Sequence, residues 1–245
     1  MRIFGKRPVF ERLISNPGSI ISIFIESGSS NSEIADLAKK ERVPIEKIYP
    51  KRFSKMSRGV NSQGVIANIG EYKYADFSKI LYADDEKKPI LVFLDGVTDT
   101  QNLGSMIRSL ACLGGFCIVL PSKGSVSVNE TVLRVASGGE NYISVCRESS
   151  LSNALQRAKK EGYWIGAAVA EGGINIRKAK LNFPLAVIFG SEGKGMRPVL
   201  EKYVDYKLTI PMKGAGLSFN VAVAAAVFCY ELSAIRAENN CFAHF

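Results

Sequence analysis

The sequence predicts an α/β protein of two units, a small mixed one followed by a larger one built on a parallel sheet. Three observations predict it. From residue 90 onward, short runs rich in Val, Ile, Leu and Phe alternate with segments whose apolar residues recur at helical spacing. Those short runs are apolar almost throughout, the pattern of strands covered on both faces. Before them stands a polar stretch, Asp84–Pro89 (DDEKKP), that ends on a proline. A chain of 245 residues suits two such units. The sequence therefore divides into residues 1–80, a connecting segment 81–89, and residues 90–245.

In the first part, Pro8–Ile14 reads as a helix with proline in its first turn. Ile20–Glu26 (IISIFIE) reads as a strand, being rich in β-branched residues. Asn31–Glu41 reads as a helix capped by Asn31, with Glu33 early and Lys39 and Lys40 late. Gly64–Ile69 is a further strand. In the second part the strands are Ile90–Leu94, Phe116–Leu120, Ile143–Cys146, Trp164–Ala170, Leu185–Phe189 and Lys207–Pro211. The helices between them are Leu103–Leu113, Glu130–Ser137 and Ser149–Glu161, and Asn220–Glu238 closes the chain. In the first of these, positions 103, 106, 107, 110 and 113 form one apolar face.

Composition excludes several classes. The chain is 47% hydrophobic and 22% charged, so it is neither disordered nor fibrous. The longest apolar run, Val221–Tyr230, falls short of the roughly 18 residues that span a bilayer. The first residues carry charge and no apolar stretch, so a cytosolic protein is expected. Five cysteines form no CxxC pair and sit mostly in apolar stretches, as buried thiols do. The single histidine is His244, which excludes Ser-His-Asp chemistry and a multi-histidine metal site. No metal is expected. The net charge of +9 suits a phosphate-rich partner, but equally an ordinary basic protein. It is spread over both parts, with 16 basic and 11 acidic residues in 1–89 and 16 and 12 in 90–245.

Three segments at the C-terminal ends of predicted strands carry the candidate chemistry, where open α/β sheets place ligands. The first is Leu94–Arg108 (LDGVTDTQNLGSMIR), in which Asn102 also suits a helix cap and Arg108 a solvated helix face. The second is Phe189–Met196 (FGSEGKGM). Its glycines let backbone approach a ligand, yet the spacing is not that of a nucleotide P-loop. The third is Ile210–Val221 (IPMKGAGLSFNV), in which Asn220 also suits an N-cap.

Together, in this order, NLGSMIR, FGSEGKGM and IPMKGAGLSFNVAVAAA resemble the SpoU–TrmH family of RNA ribose 2′-O-methyltransferases. Residues 1–80 resemble more loosely the small α/β RNA-binding domain that precedes the catalytic one in many members, best at Gln63–Ala67 (QGVIA). The resemblance implies a deep trefoil knot in the parallel-sheet domain, S-adenosylmethionine as cofactor, structured RNA as substrate and a homodimer. Ribosomal RNA is favoured over transfer RNA. By position it implies cofactor contacts at Gly190, Gly193, Ile210, Met212 and Phe219. It implies catalytic positions at Asn102, Arg108, Glu192, Ser218 and Asn220. Where many relatives have Pro, Leu and Ser, this chain has Thr100, Phe219 and Ala222. None of these changes removes a catalytic candidate.

A ribose 2′-hydroxyl is a poor nucleophile until its proton is drawn away, so alignment and stabilisation of developing negative oxygen are required. Arg108 is the candidate for that role. A guanidinium hardly loses its proton, so a phosphate clamp and oxyanion partner suits it better than a general base. Lys51–Arg58 (KRFSKMSR) carries Lys51, Arg52, Lys55 and Arg58 around Phe53. It suits an RNA backbone with one stacked base, or a solvated loop. A non-catalytic RNA-binding member of the same fold is the alternative reading.

Overall fold

The computed structural model describes residues 1–84 and 87–242. His244 and the middle of the 81–89 segment lie outside the described residues. The chain sorts into two compact units. One is Met1–Lys73 with Val128–Tyr142; the other is Tyr74–Ser127 with the chain from Ile143 onward.

The first unit opens with β1 (Arg2–Phe4) and α1 (Lys6–Ser15), which turns off Gly5 at φ 100°. Then come β2 (Ile20–Glu26), α2 (Ser32–Lys40), β3 (Ile45–Ile48), α3 (Pro50–Ser57) and β4 (Val65–Ile69). The sheet order is β1-β4-β2-β3, with β2 and β3 parallel and the other pairs antiparallel. The Asn31 side chain does not cap α2. Its amide donates instead to Ser29 Oγ, Gln63 O and Gly64 O, at 2.8, 3.2 and 3.2 Å. Lys51–Arg58 is a helix rather than a loop, because Pro50 starts it and Arg58 ends it in a left-handed conformation. Phe53, four residues before Ser57 on one face, is buried against Phe4, Ile48 and Ile66.

The second unit continues with α4 (Phe77–Leu81), β5 (Ile90–Asp95), α5 (Thr100–Leu113) and β6 (Phe116–Pro121). The next helix, α6 (Glu130–Ala136), belongs to the first unit. There Glu130 accepts from the Arg2 backbone at 2.7 Å, and Glu140 pairs with Arg12 at 3.0 Å with both side chains buried. The chain then supplies β7 (Ser144–Glu148), α7 (Leu151–Lys160), β8 (Trp164–Ala168), β9 (Ile174–Asn175), β10 (Leu185–Gly190), α8 (Pro198–Glu201), β11 (Tyr206–Thr209) and α9 (Val221–Phe242).

The seven strands form one sheet in the order β7-β6-β5-β10-β8-β11-β9, every pair parallel. Alternation of side chains gives the sheet two apolar faces. Leu91, Phe93, Val119, Ala186 and Ile188 pack with Phe77 and Leu81 of α4 and Leu151 and Leu155 of α7. On the other face α5 lies against α9, and Phe189 meets Phe228 edge to face at 5.6 Å. Each fully buried Leu, Ile or Phe contributes roughly 1.5–3 kcal/mol. The central strands, β5, β6 and β10, are therefore the least movable part of this unit, and the loops at their C-terminal ends hang from a fixed frame.

Among the described cysteines, Cys117, Cys146 and Cys229 are buried free thiols and Cys112 is exposed. Burial pushes the Cys229 thiol well up, which keeps it protonated and unreactive.

Candidate active site

Three loops of the second unit converge through one carboxylate. After β10 the backbone reverses in a tight turn, where Ser191 N donates to Gly195 O at 3.1 Å and Gly195 N to Ser191 O at 3.0 Å. The turn folds back so closely that a Cβ on Gly190 would lie within 3 Å of the Gly195 and Met196 backbone. Only glycine permits that approach. Glu192 sits in the turn. Its Oε1 accepts from Asn102 Nδ2 at 3.1 Å, from Asn220 Nδ2 at 2.9 Å and from Val221 N at 3.4 Å.

Asn220 completes the cluster. Its Nδ2 also donates to Asn102 Oδ1 at 2.9 Å, and its Oδ1 accepts from Ala222 N and Val223 N at 2.9 and 3.3 Å. It is thus the cap of α9 expected from the sequence, and Glu192 adds a negative charge at that helix start, where the dipole favours it. Asn102 is not a cap. Asp99 caps α5, accepting from Gln101 N at 2.8 Å, and Asn102 lies buried in the first turn. The starts of α5 and α9 and the β10 turn are locked together.

A cavity of about 450 Å³ opens beside this cluster. Gly190, Gly193, Ile210, Met212 and Phe219, the five positions expected to contact a cofactor, all line it. Ser218, Glu192 and Asn220 line it too, and Ala168, Phe189, Ala224 and Phe228 give it apolar walls. Arg108 is not brought there. It stands exposed on α5, six residues after Asn102 and so on another side of the helix, with no hydrogen bond or ion pair among the described residues.

Lys51, Arg52 and Lys55 on α3 and Arg58 at its end are exposed, and Arg52 reaches Glu46 at 3.3 Å. Phe53 is 2% exposed, so the stacking role expected for it is withdrawn. Among the described residues no cluster of three or more His, Cys, Asp or Glu is placed to hold a metal ion, and no helix is long and apolar enough to cross a membrane.

The sequence pattern does not reveal a pair that fixes the site from below. Asp95, at the end of β5, is buried and accepts from Arg197 Nε at 2.6 Å and Arg197 N at 2.8 Å. The two lie 102 positions apart, and the only local signal is a carboxylate ending an apolar strand.

Residues 89–230 match the SpoU rRNA Methylase family, and residues 2–75 match the family described as RNA 2'-O ribose methyltransferase substrate binding. A Staphylococcus haemolyticus protein named as a TrmH family tRNA/rRNA methyltransferase is 33% identical, over 94% of each chain. A Bacillus subtilis protein of the same description is 31% identical over the same shares. The fold is that of the SpoU methyltransferase AviRb from Streptomyces viridochromogenes, solved in complex with AdoMet. Its TM-score is 0.80 and its identity 20%, covering 97% of this chain and 91% of that one. An AdoMet-bound rRNA methyltransferase from Sinorhizobium meliloti gives 0.77 and 21%, over 94% and 85%. By its motifs, its fold and these relatives, the chain belongs to the SpoU rRNA Methylase family.

Proposed function

We propose that the protein transfers a methyl group from S-adenosylmethionine to a ribose 2′-hydroxyl of structured RNA, ribosomal RNA ahead of transfer RNA. The observation that carries this reading is the Asn102–Glu192–Asn220 cluster on the wall of the 450 Å³ cavity. The cavity suits the cofactor by size and by chemistry. Its volume lies in the range of small-molecule sites, roughly 300–1,000 Å³. Apolar walls at Phe189, Ile210 and Phe228 suit an adenine, and the glycine-rich turn offers backbone polar groups to the rest. When bound, S-adenosylmethionine supplies a methyl group already activated by its sulfonium.

The chain's own residues align the acceptor. Glu192 and Asn220 hold Asn102 in one rotamer. Ser218, exposed on the wall and without a hydrogen bond among the described residues, is placed to donate to ribose or cofactor. Arg108 clamps the phosphate of the target nucleotide and stabilises the forming alkoxide. Its exposure supports a partner supplied from outside the unit. The homodimer belongs to this reading and is supported by Val223 and Tyr230, which stand exposed on α9. The trefoil knot also belongs to it. Its support is a sheet order in which β10 enters between β5 and β8.

The test is incubation with labelled S-adenosylmethionine and unmodified ribosomal or transfer RNA, followed by digestion to nucleosides. Label in 2′-O-methyl nucleosides is expected, and its loss in Arg108→Ala. Near-normal turnover in Arg108→Lys would sink the bidentate clamp.

A further inference from the structure

We propose that a second, basic cleft on the far side of the Ser191–Gly195 turn seats a backbone phosphate of the RNA strand being methylated. The inference rests on the reaction proposed above and adds where the strand is held. The cleft has a volume of about 380 Å³ and lies at the C-terminal ends of β5, β6 and β10. Ser191 and Gly195 line both it and the cofactor cavity, so a single turn is the wall between them.

Three cations ring the cleft: Lys123, Lys194 and Arg197. Its one acid, Asp95, is buried and already neutralised by two hydrogen bonds from Arg197. Those bonds use Nε and the backbone, and the Arg197 side chain is 57% exposed. Among the described residues its two Nη groups have no partner. Lys123 and Lys194 are exposed and likewise make no hydrogen bond or ion pair among the described residues. The cleft therefore carries uncompensated positive charge, and its complement is an anion. Gly96, Gly124 and Gly195 line it, so backbone approaches the anion without a side chain between.

The cations are also held in place. The loop bearing Lys123 is tied to β7, where Ser122 N donates to Glu148 O at 2.8 Å and Arg147 Nη2 to Ser122 O at 2.9 Å. It is tied to the β5 loop as well, since Ser125 Oγ and Val126 N both donate to Val97 O, at 2.8 and 3.0 Å. Arg197 is fixed by Asp95. A pre-positioned set loses little side-chain freedom on binding. A ribose at the mouth of the cofactor cavity and a phosphate in this cleft, one turn apart, are neighbouring parts of one strand.

The test is filter binding of in-vitro-transcribed, unmodified bacterial ribosomal RNA over a salt series, with calorimetric titration of S-adenosylmethionine into the same proteins. Lys123→Ala/Lys194→Ala is expected to weaken RNA binding about tenfold at moderate salt. It should also flatten the slope of log K against log salt by roughly 0.7 for each phosphate no longer neutralised. Cofactor affinity should stay within about twofold, which shows that the variant folds. Lys202→Ala/Lys207→Ala removes the same charge at two residues that do not line the cleft and is expected to leave the slope unchanged. An unchanged slope in the Lys123/Lys194 variant, with methyl transfer intact, would overturn the cleft and leave the reaction standing. A flattened slope in a protein that puts no methyl on ribose would support the cleft and overturn the reaction.

Discussion

Glu192 Oε1 serves three donors from two other segments, so one oxygen holds the starts of two helices. Removing it leaves Asn102 Nδ2, which is buried, without its acceptor. An unsatisfied buried group costs about 1–3 kcal/mol. Glu192→Ala is therefore expected to lower unfolding free energy by about that amount in a urea titration and to abolish methyl transfer. Gly190 acts through absence. A methyl there meets backbone, which cannot swing aside as a side chain can. Gly190→Ala is expected to displace the turn, destabilise by about 1–3 kcal/mol and abolish calorimetric binding of S-adenosylmethionine. At this scale the sequence was legible for Asn220, a cap before a long apolar run. It was not legible for Asn102, which resembles a cap but lies in the first turn of the helix that Asp99 caps. Nor was it for Phe53. Basic neighbours suggested an aromatic offered to a base, yet in a helix its face is the one turned to the core.

At the scale of elements, the central strands were readable because they are apolar on both faces, and a parallel buried sheet demands that. β1 and β3, with three and four residues, carry too few positions to show a period. The allegiance of residues 128–142 was hidden for a different reason. α6 has ordinary helical spacing, and nothing local says which core it joins. Its unit is held partly by the buried Arg12–Glu140 pair. Burial pushes the Glu140 carboxyl above its usual range, although the Arg12 guanidinium pulls it down. The folded unit thus binds that proton more tightly than the unfolded chain does. This group's contribution is fully present below the ordinary carboxylate range and is lost as pH rises through the raised folded value. Glu140→Leu alone strands a buried guanidinium and is expected to cost about 3–5 kcal/mol. Arg12→Met/Glu140→Leu together should cost less, and a denaturation cycle over the two sites reads the difference.

For the whole molecule, exposed basic residues gather in two places among others, along α3 to Arg58 and around the cleft at Lys123, Lys194 and Arg197. Composition alone suits a phosphate-rich partner and an ordinary basic protein equally, and it gives no address. Replacing Lys51, Arg52, Lys55 and Arg58 with Ala is expected to weaken RNA binding and flatten its salt slope, with cofactor affinity unchanged. The cavity beside Glu192 is the most legible feature, because the five positions that the family resemblance implies for the cofactor all line it. Its five expected contacts sit in two continuous glycine-containing segments, so sequence order preserved their neighbourhood. Asp95 and Arg197, far apart in the chain, were not legible for the converse reason.

The central claim, methyl transfer to a ribose 2′-oxygen, has a direct chemical test. Alkali cleaves RNA because the 2′-hydroxyl attacks the adjacent phosphate, so a methyl on that oxygen protects the bond. Unmodified ribosomal RNA treated with the protein and methyl-labelled S-adenosylmethionine should, after alkaline hydrolysis, carry its label in alkali-stable dinucleotides. Label recovered in mononucleotides would mean that a base had been methylated, and would contradict the account.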